Sequence, residues 1–233
     1  MLDLTAVPKR PLVSASVLSA DFGTMAQDCH DVLERGADLL HIDVMDGHFV
    51  GNLSMGPDMV RGIRKHAPDV FMDVHLMVDR PDLFVEPFAE AGANHITFHL
   101  EVCDPVRARH VDADALIQRI HAAGMTAGMA INPFTAAEGL APYLDRLAMA
   151  LVMSVHPGKS GQAFLPFVLD KTRWLHEHTG PGTRIEMDGG VGPTTCDDVA
   201  AAGCDVMVTA SALFGSDDRS AVIDRLHAAK LPA

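Results

Sequence analysis

One alternation runs along this whole sequence: a short apolar segment followed by a longer amphipathic segment, eight times over. The apolar segments are predicted to be β-strands and occupy residues 11–17, 39–45, 70–77, 95–100, 126–131, 149–155, 184–188 and 205–210. Segments between them, such as 24–36, 56–67, 81–92 and 113–124, have the periodicity of helices. Several end in a glycine that suits a helix C-cap: Gly36, Gly92, Gly124 and Gly203. Strands that alternate with helices in this way indicate a parallel sheet.

Eight such units in 233 residues predict an α/β protein, a single (β/α)₈ TIM barrel that spans residues 1–233 as one domain. An open, doubly wound sheet is the alternative. Against it, no G-x-G-x-x-G motif follows the first predicted strand. No low-complexity linker divides the chain, and the longest irregular stretch, 101–114, follows the fourth predicted strand.

Charge and hydropathy exclude several classes of partner. The formal net charge of −13 argues against general affinity for nucleic acid or for anionic membranes. It leaves room for a small anionic substrate, because one pocket can be locally positive. The sequence has no apolar run long enough to span a membrane and no signal-peptide core, and its four cysteines form no C-x-x-C pair. We therefore expect a cytoplasmic protein.

Active sites of such barrels lie at the C-terminal ends of the strands, and ionisable residues collect at those ends here. His41 and Asp43 share one face of the second strand because they are two residues apart, His75 lies on the third, and Asp188 ends the seventh. Two imidazoles and two carboxylates that converge suit one divalent ion such as zinc, iron, manganese or cobalt. The alternative is a group of hydrogen-bonded polar residues beneath a loop.

Other residues near these strand ends have plainer interpretations. Asp73 lies deeper and is expected to support a ligand or to pack, whereas Asp46 and His48 are expected in a solvated loop. His99 is interpreted as a core histidine outside the site. Three methionines, Met45, Met77 and Met153, either fill the core or face the substrate.

Glycine-rich segments follow the last strands. Residues 157–162 and 189–190 can present backbone N–H groups, and 209–215 begins a short helical turn. Loops after the seventh and eighth strands and a short helix N-terminus form a recurrent phosphate site in these barrels. The segments therefore predict a phosphorylated substrate.

Six motifs in this order resemble the ribulose-phosphate 3-epimerase family. They are SVLSAD (16–21), HIDVMDGHFVGN (41–52), DVHLM (73–77), VMSVHPGKSGQAF (152–164), MDGGV (187–191) and ASALF (210–214). The resemblance implies a (β/α)₈ barrel with one divalent metal that inverts C3 of a ketose phosphate, D-ribulose 5-phosphate to D-xylulose 5-phosphate. The expected partner is this sugar phosphate, and we also expect a homo-oligomer.

The resemblance also implies roles for individual residues. The family's metal ligands correspond to His41, Asp43, His75 and Asp188, and its acid/base pair to Asp43 and Asp188. Its substrate-binding positions correspond to Ser16, Gly158, Gly161, Gly190 and Ser211. Asp43 and Asp188, from the second and seventh strands, can flank a planar enediolate and so exchange a proton on each of its faces.

Departures from the family pattern fall where the far end of the substrate would be held. Gly51, His156, Lys159, Ser160 and Ala210 replace the family's usual residues, and the stretch after the fourth strand is longer and carries Arg107 and Arg109. A related substrate such as D-allulose 6-phosphate is therefore an alternative.

Two further alternatives belong to other classes. A metal-dependent hydrolase would be expected to carry an H-x-H ligand pair, which the second strand lacks. A non-catalytic sugar-phosphate-binding barrel would have no need of both Asp43 and Asp188.

Overall fold

The computed structural model describes residues 2–4, 6–108 and 110–232, and its centre is a closed barrel of eight parallel strands. Each strand pairs with the next along the chain, and the eighth pairs with the first. The strands are β1 (Leu12–Ser16), β2 (Leu39–Met45), β3 (Met72–Met77), β4 (His95–His99), β5 (Thr126–Ile131), β6 (Met149–Met153), β7 (Arg184–Asp188) and β8 (Val206–Thr209). The predicted barrel is therefore confirmed, and the open doubly wound sheet is excluded.

Helices pack around the outside of the barrel. They are α1 (Met25–Glu34), α2 (Pro57–His66), α3 (Val85–Ala91), α4 (Ala113–Ala122), α5 (Leu169–His178), α6 (Cys196–Ala201), α7 (Ser211–Phe214) and α8 (Arg219–His227). The four glycines predicted as C-caps all have positive φ, between 82° and 106°. None of the helices in the described ranges combines the length and the apolarity that a bilayer crossing requires.

The connection between β5 and β6, every residue of which the structure describes, contains no α-helix. Two 3₁₀ turns, Ala137–Leu140 and Leu144–Arg146, take its place. Pro133, Gly139 and Pro142 explain the difference, because a proline inside a helix removes a hydrogen bond and clashes with the preceding turn, and glycine is a poor helix former.

Alternate residues of each strand face the helices or the barrel interior. On β2 the outward residues Leu40, Ile42 and Val44 join the main apolar core between sheet and helices. Leu39, at the N-terminal end of the same strand, belongs to a small apolar cluster of its own. Further along the strand, His41 and Asp43 lie on the same face as Leu39 and are buried. The interior is therefore apolar at its base and polar towards the C-terminal ends of the strands.

The register of β2 and β3 places opposite charges side by side. His41 is paired with Asp73, Asp43 with His75, and Met45 with Met77. Neighbouring strands of a parallel sheet lie about 4.8 Å apart, so each imidazole has a carboxylate beside it across the sheet as well as along its own strand. This pairing is what gathers the ionisable groups at the mouth of the barrel.

Candidate active site

The predicted cluster forms at the mouth of the barrel. One ligand atom from each of His41, Asp43, His75 and Asp188 lies within 4.8 Å of all the others. Asp43 Oδ1 is 3.0 Å from His75 Nδ1 and 3.4 Å from His41 Nε2, and Asp188 Oδ2 is 4.0 Å from His75 Nδ1. Ser16 donates a hydrogen bond of 2.6 Å to Asp43 Oδ2, so the end of β1 orients this carboxylate.

The two carboxyl groups of the cluster have pKa values shifted in opposite directions. Burial raises the pKa of Asp43, but the attraction of His41 and a hydrogen bond from this residue outweigh burial and lower the pKa. Burial, together with repulsion from Asp43, raises the pKa of Asp188 to about 7. Near neutral pH the pair therefore holds an ionised carboxylate, Asp43, beside a carboxyl group, Asp188, that retains its proton much more readily.

The chemistry of the cluster fits a divalent metal ion. Two imidazole nitrogens and two carboxylates are ligand types that zinc, iron, manganese and cobalt accept. His41 Nδ1 lies 2.6 Å from Asp73 Oδ2, which leaves Nε2 directed towards Asp43 and His75. A carboxylate on the outer nitrogen of a ligating histidine orients the ring, and Asp73 has this position, as predicted.

A cavity of about 300 Å³ opens above the cluster. Its floor includes Ser16, Asp43 and Asp188, whereas His41 and His75 are fully buried beneath it. The other predicted substrate-binding residues also line the cavity: Met45, Met77, Met153, Gly158, Gly161, Gly190 and Ser211. All of the predicted site residues therefore belong either to the cavity wall or to the layer directly below it.

The loop after β6, residues 154–165, covers one side of this cavity. Asn52 donates to the carbonyl of Gly158 (2.9 Å), and the hydroxyls of Ser19 and Ser160 are 2.6 Å apart. The side chain of Gln162 donates to the carbonyls of His156 (2.7 Å) and Lys159 (2.9 Å). These bonds hold the loop to the β1 and β2 loops and close it on itself, with His156, Lys159 and Ser160 lining the cavity.

Two glycines after β7 allow close packing against the loop. Gly190 has φ 65°, and a Cβ there would lie 2.8 Å from the backbone nitrogen of Phe164. Gly189 has φ 116° and would meet Val155. Only glycine fits such positions without a shift of the backbone, which accounts for the paired glycines that follow Asp188.

Three residues of this region were not predicted as part of the site. His99 is fully buried, as expected of a core histidine, but its Nε2 lies 2.9 Å from His75 Nε2 and so contacts the cluster. Glu101 Oε2 lies 3.0 Å from His99 Nδ1. Glu186 Oε1 lies 3.5 Å from His41 Nδ1, and burial and nearby Asp73 raise the pKa of Glu186 well above its ordinary range. Glu186 precedes Asp188 by two residues, a spacing that places both on one face of β7 and could have revealed it.

Asp46 differs from the expectation of a solvated residue. Its carboxylate accepts backbone N–H bonds from His48 (2.8 Å), Phe49 (2.9 Å) and Asp79 (2.8 Å). It therefore ties the β2 and β3 loops together, whereas His48 is exposed as expected. In the long stretch after β4, Arg107 forms an ion pair with Asp79, and Arg109 lies outside the described residues.

Solved structures with the same architecture have little sequence in common with this chain. A KGPDC from Streptococcus mutans aligns with a TM-score of 0.69 at 13% identity, covering 93% of this chain and 95% of the other. A 3-hexulose-6-phosphate synthase from Salmonella typhimurium aligns with a TM-score of 0.66 at 16% identity, covering 93% and 96%. These likenesses confirm the barrel fold.

Curated relatives are much more similar in sequence. The ribulose-phosphate 3-epimerase of Escherichia coli K12 is 41% identical over 94% of this chain and 96% of its own length. The ribulose-phosphate 3-epimerase of Mycobacterium bovis is 43% identical over 93% and 92%, and a cytoplasmic isoform from Oryza sativa is 40% identical over 92% of each chain. The profile of the Ribulose-phosphate 3 epimerase family matches residues 12–214, from the first residue of β1 to the last of α7. With the His–Asp cluster and its cavity inside that range, the chain belongs to the ribulose-phosphate 3-epimerase family.

Proposed function

We propose that this protein is a metal-dependent isomerase that inverts C3 of a ketose phosphate and converts D-ribulose 5-phosphate to D-xylulose 5-phosphate. The observation that carries the proposal is the pair of carboxyl groups, Asp43 and Asp188, with opposed pKa shifts at the floor of one cavity. Membership of the family and the names of the relatives support the same reaction.

Inverting a carbon next to a ketone requires one group that takes a proton and one that returns a proton on the opposite face. Asp43, ionised and oriented by Ser16, is the base for one face. Asp188, with a pKa of about 7, is the acid for the other face. Matching of acid and base to the working pH is the usual arrangement in proton-transfer sites. In the reverse direction the two residues exchange roles.

His41, Asp43, His75 and Asp188 would hold one divalent ion, zinc, iron, manganese or cobalt. When bound, such an ion acts as a Lewis acid that stabilises the negative charge developing on the oxygens of the substrate. The methionines Met45, Met77 and Met153 line the adjacent wall of the cavity and exclude water from the reacting carbon.

The phosphate is proposed to bind at the opposite end of the cavity. Gly158, Gly161 and Gly190 offer backbone N–H groups there, and the short helix α7 begins at Ser211. Because the whole chain is acidic, backbone donors and Lys159 supply the local attraction that the surface as a whole lacks.

D-allulose 6-phosphate is the second candidate substrate. His156, Lys159 and Ser160, which depart from the pattern that the motifs resemble, all line the cavity. They belong to the loop that is proposed to hold the phosphate, so a change in the length of the sugar would be accommodated there while the reacting end of the site stayed the same.

Exchange of the C3 proton with solvent tests the reaction itself. We expect incubation with ribulose 5-phosphate in D₂O to introduce deuterium at C3 and to form xylulose 5-phosphate, both followed by NMR. Allulose 6-phosphate and unphosphorylated ribulose, assayed in parallel, establish the substrate. Binding of both sugar phosphates without C3 exchange would refute epimerisation, and turnover of free ribulose equal to that of its phosphate would refute the phosphate site.

Two properties of the whole protein complete the proposal. We propose a homo-oligomer, and large exposed side chains on the loops of the barrel mouth, Leu53, Val106 and Phe134, support an association at this end. We also propose that the protein works in the cytoplasm, which four free cysteines support. Sedimentation of the purified protein tests the oligomer.

A further inference from the structure

A chain of hydrogen bonds leads away from the candidate metal site through residues that do not line the cavity. It starts at His75, passes through His99 and Glu101, and ends at the turn that follows β5. We propose that Glu101 and His99 are positioning residues that hold His75 in the tautomer protonated at Nε2, so that Nδ1 is free to bind the metal. The inference rests on the proposed metal site.

The direction of the bonds follows from what each group can donate. His75 Nε2 and His99 Nε2 are 2.9 Å apart, so one of them carries a proton and the other accepts it. His99 Nδ1 is 3.0 Å from Glu101 Oε2, and a carboxylate can only accept. A neutral His99 therefore has its proton on Nδ1 and accepts at Nε2. The shared proton then belongs to His75 Nε2.

Glu101 is held as an acceptor by its other oxygen. Oε1 accepts the N–H of Asn132 at 2.7 Å and the hydroxyl of Thr135. The turn that supplies these donors is itself fixed, because Lys171 Nζ donates to the carbonyls of Asn132 (2.9 Å), Pro133 (2.5 Å) and Thr135 (2.5 Å). Because Oε1 is occupied by these donors, Oε2 of Glu101 accepts the hydrogen bond from His99 Nδ1.

The contact on the other nitrogen of His75, Nδ1, explains why Glu101 and His99 are needed to set the tautomer. His75 Nδ1 lies 3.0 Å from Asp43 Oδ1, and this carboxylate alone would favour a proton on Nδ1. A proton there would have to leave before a metal could bind. Glu101, acting through His99, opposes Asp43 and keeps the lone pair of Nδ1 directed at the ligand cluster.

The tautomer is measured directly, without metal. Imidazole ¹⁵N NMR of the metal-free protein, with His75 assigned through His75→Asn, is expected to show the proton on Nε2 in the wild type. Glu101→Gln is expected to move the proton to Nδ1. A proton on Nδ1 in the wild type, or the same tautomer in both proteins, would overturn the proposal.

Metal affinity is the second measurement. Titration calorimetry with Zn²⁺ is expected to show binding weakened by at least about tenfold in Glu101→Gln, the usual scale for loss of a partner behind a metal ligand. Glu138→Gln is the matched control, because it removes an exposed charge from the neighbouring 3₁₀ turn without touching His99. Equal weakening in both variants would show a general effect of charge and would refute positioning.

Two substitutions of His99 separate positioning from packing. The amide of His99→Gln can accept from His75 and donate to Glu101, so this variant is expected to retain affinity close to the wild type. His99→Leu is expected to behave like Glu101→Gln, and similar loss in both His99 variants would contradict the proposal. If the wild type binds no metal, the proposed metal site fails, while the NMR measurement still decides the tautomer.

Discussion

At the scale of single residues, the four members of the cluster and Asp73 beside His41 were predictable, whereas His99, Glu101 and Glu186 were not predicted. His41, Asp43, His75 and Asp188 stand out because each lies near the end of an apolar strand, where burial of a charge demands a reason. His99 and Glu186 lie inside the barrel as well. Spacing along β7 indicates the face on which Glu186 lies, but not its partners. The contacts of His99 and Glu186 depend on which side chains meet across the interior, and this depends on strand register and stagger.

Asp43 and Asp188 carry the sharpest prediction at this scale. Asp43→Asn and Asp188→Asn should each lower kcat by at least about 10²-fold, because each removes an acid/base group. Steady-state kinetics with metal content measured on the same samples checks it. Asp79→Asn is the control, since Asp79 is also a carboxylate near the mouth but pairs with Arg107 outside the cavity. Turnover near the wild-type value in either active-site variant would remove that residue from the mechanism.

A second prediction concerns the protons that the cluster must lose. Burial lowers the pKa of His41, but Asp43 and Asp73 outweigh burial and raise the pKa well above its ordinary value, which favours a protonated ring in the protein without metal. A metal binds the neutral ring. Binding should therefore release at least one proton near pH 7, and affinity should rise with pH. Calorimetry in two buffers of different ionisation enthalpy measures the number of protons released on binding. Binding enthalpies that do not depend on the buffer would contradict the prediction.

At the scale of elements, the strands were predicted well and the connections less well. All eight strands are present, and the predicted segments exceed them by up to two residues at an end, as in 149–155 against Met149–Met153. Ser154 and Val155 are as buried as the strand before them, but they already belong to the turn. Apolarity indicates burial, whereas a strand also needs a continuing ladder of pairs with its neighbour, and the β6–β7 ladder ends at Met153 and Asp188. The sequence carries no direct signal for that end point.

The loop after β6 gives the prediction for this scale. Lys159 is exposed at the cavity, on a loop already held by Asn52, Ser19 and Gln162. Lys159→Ala should raise KM by roughly tenfold with little change in kcat, because a hydrogen bond to a charged group contributes about 1.5–3 kcal/mol. Lys65→Ala is the control. It removes the same charge at the C-terminal end of α2, which is far from the cavity. An equal KM in the two variants would place Lys159 in solvent without contact to the phosphate.

At the scale of the whole molecule, the barrel was predictable because eight regular repeats admit few other architectures. Closure itself leaves a consequence for assembly. Every strand has a neighbour on both sides, since β8 pairs with β1, so this sheet offers no free edge to another chain. Any association of copies would therefore use helices or loops.

Metal binding should stabilise the whole fold. At a free metal concentration 100 times the dissociation constant, binding contributes about 2.7 kcal/mol. For a domain of this length that corresponds to a rise in Tm of roughly 5–11 °C. Scanning calorimetry with and without Zn²⁺ checks it, with addition of a chelator to reverse the effect. His75→Asn should lose the rise, whereas the exposed His48→Asn should keep it; a rise retained without His75 would locate the binding elsewhere.

The order of the strands also has a meaning for a chain that is still on the ribosome. His41, Asp43 and His75 lie on β2 and β3, in the first third of the sequence, whereas Asp188 ends β7. Synthesis proceeds from the N-terminus, so the nascent protein carries an incomplete set of ligands until most of the polypeptide has been made. Asp188 arrives together with the last strands, immediately before β8 meets β1. Full capture of the proposed metal would therefore coincide with closure of the barrel, and a product truncated before Asp188 would lack one of the four proposed ligands.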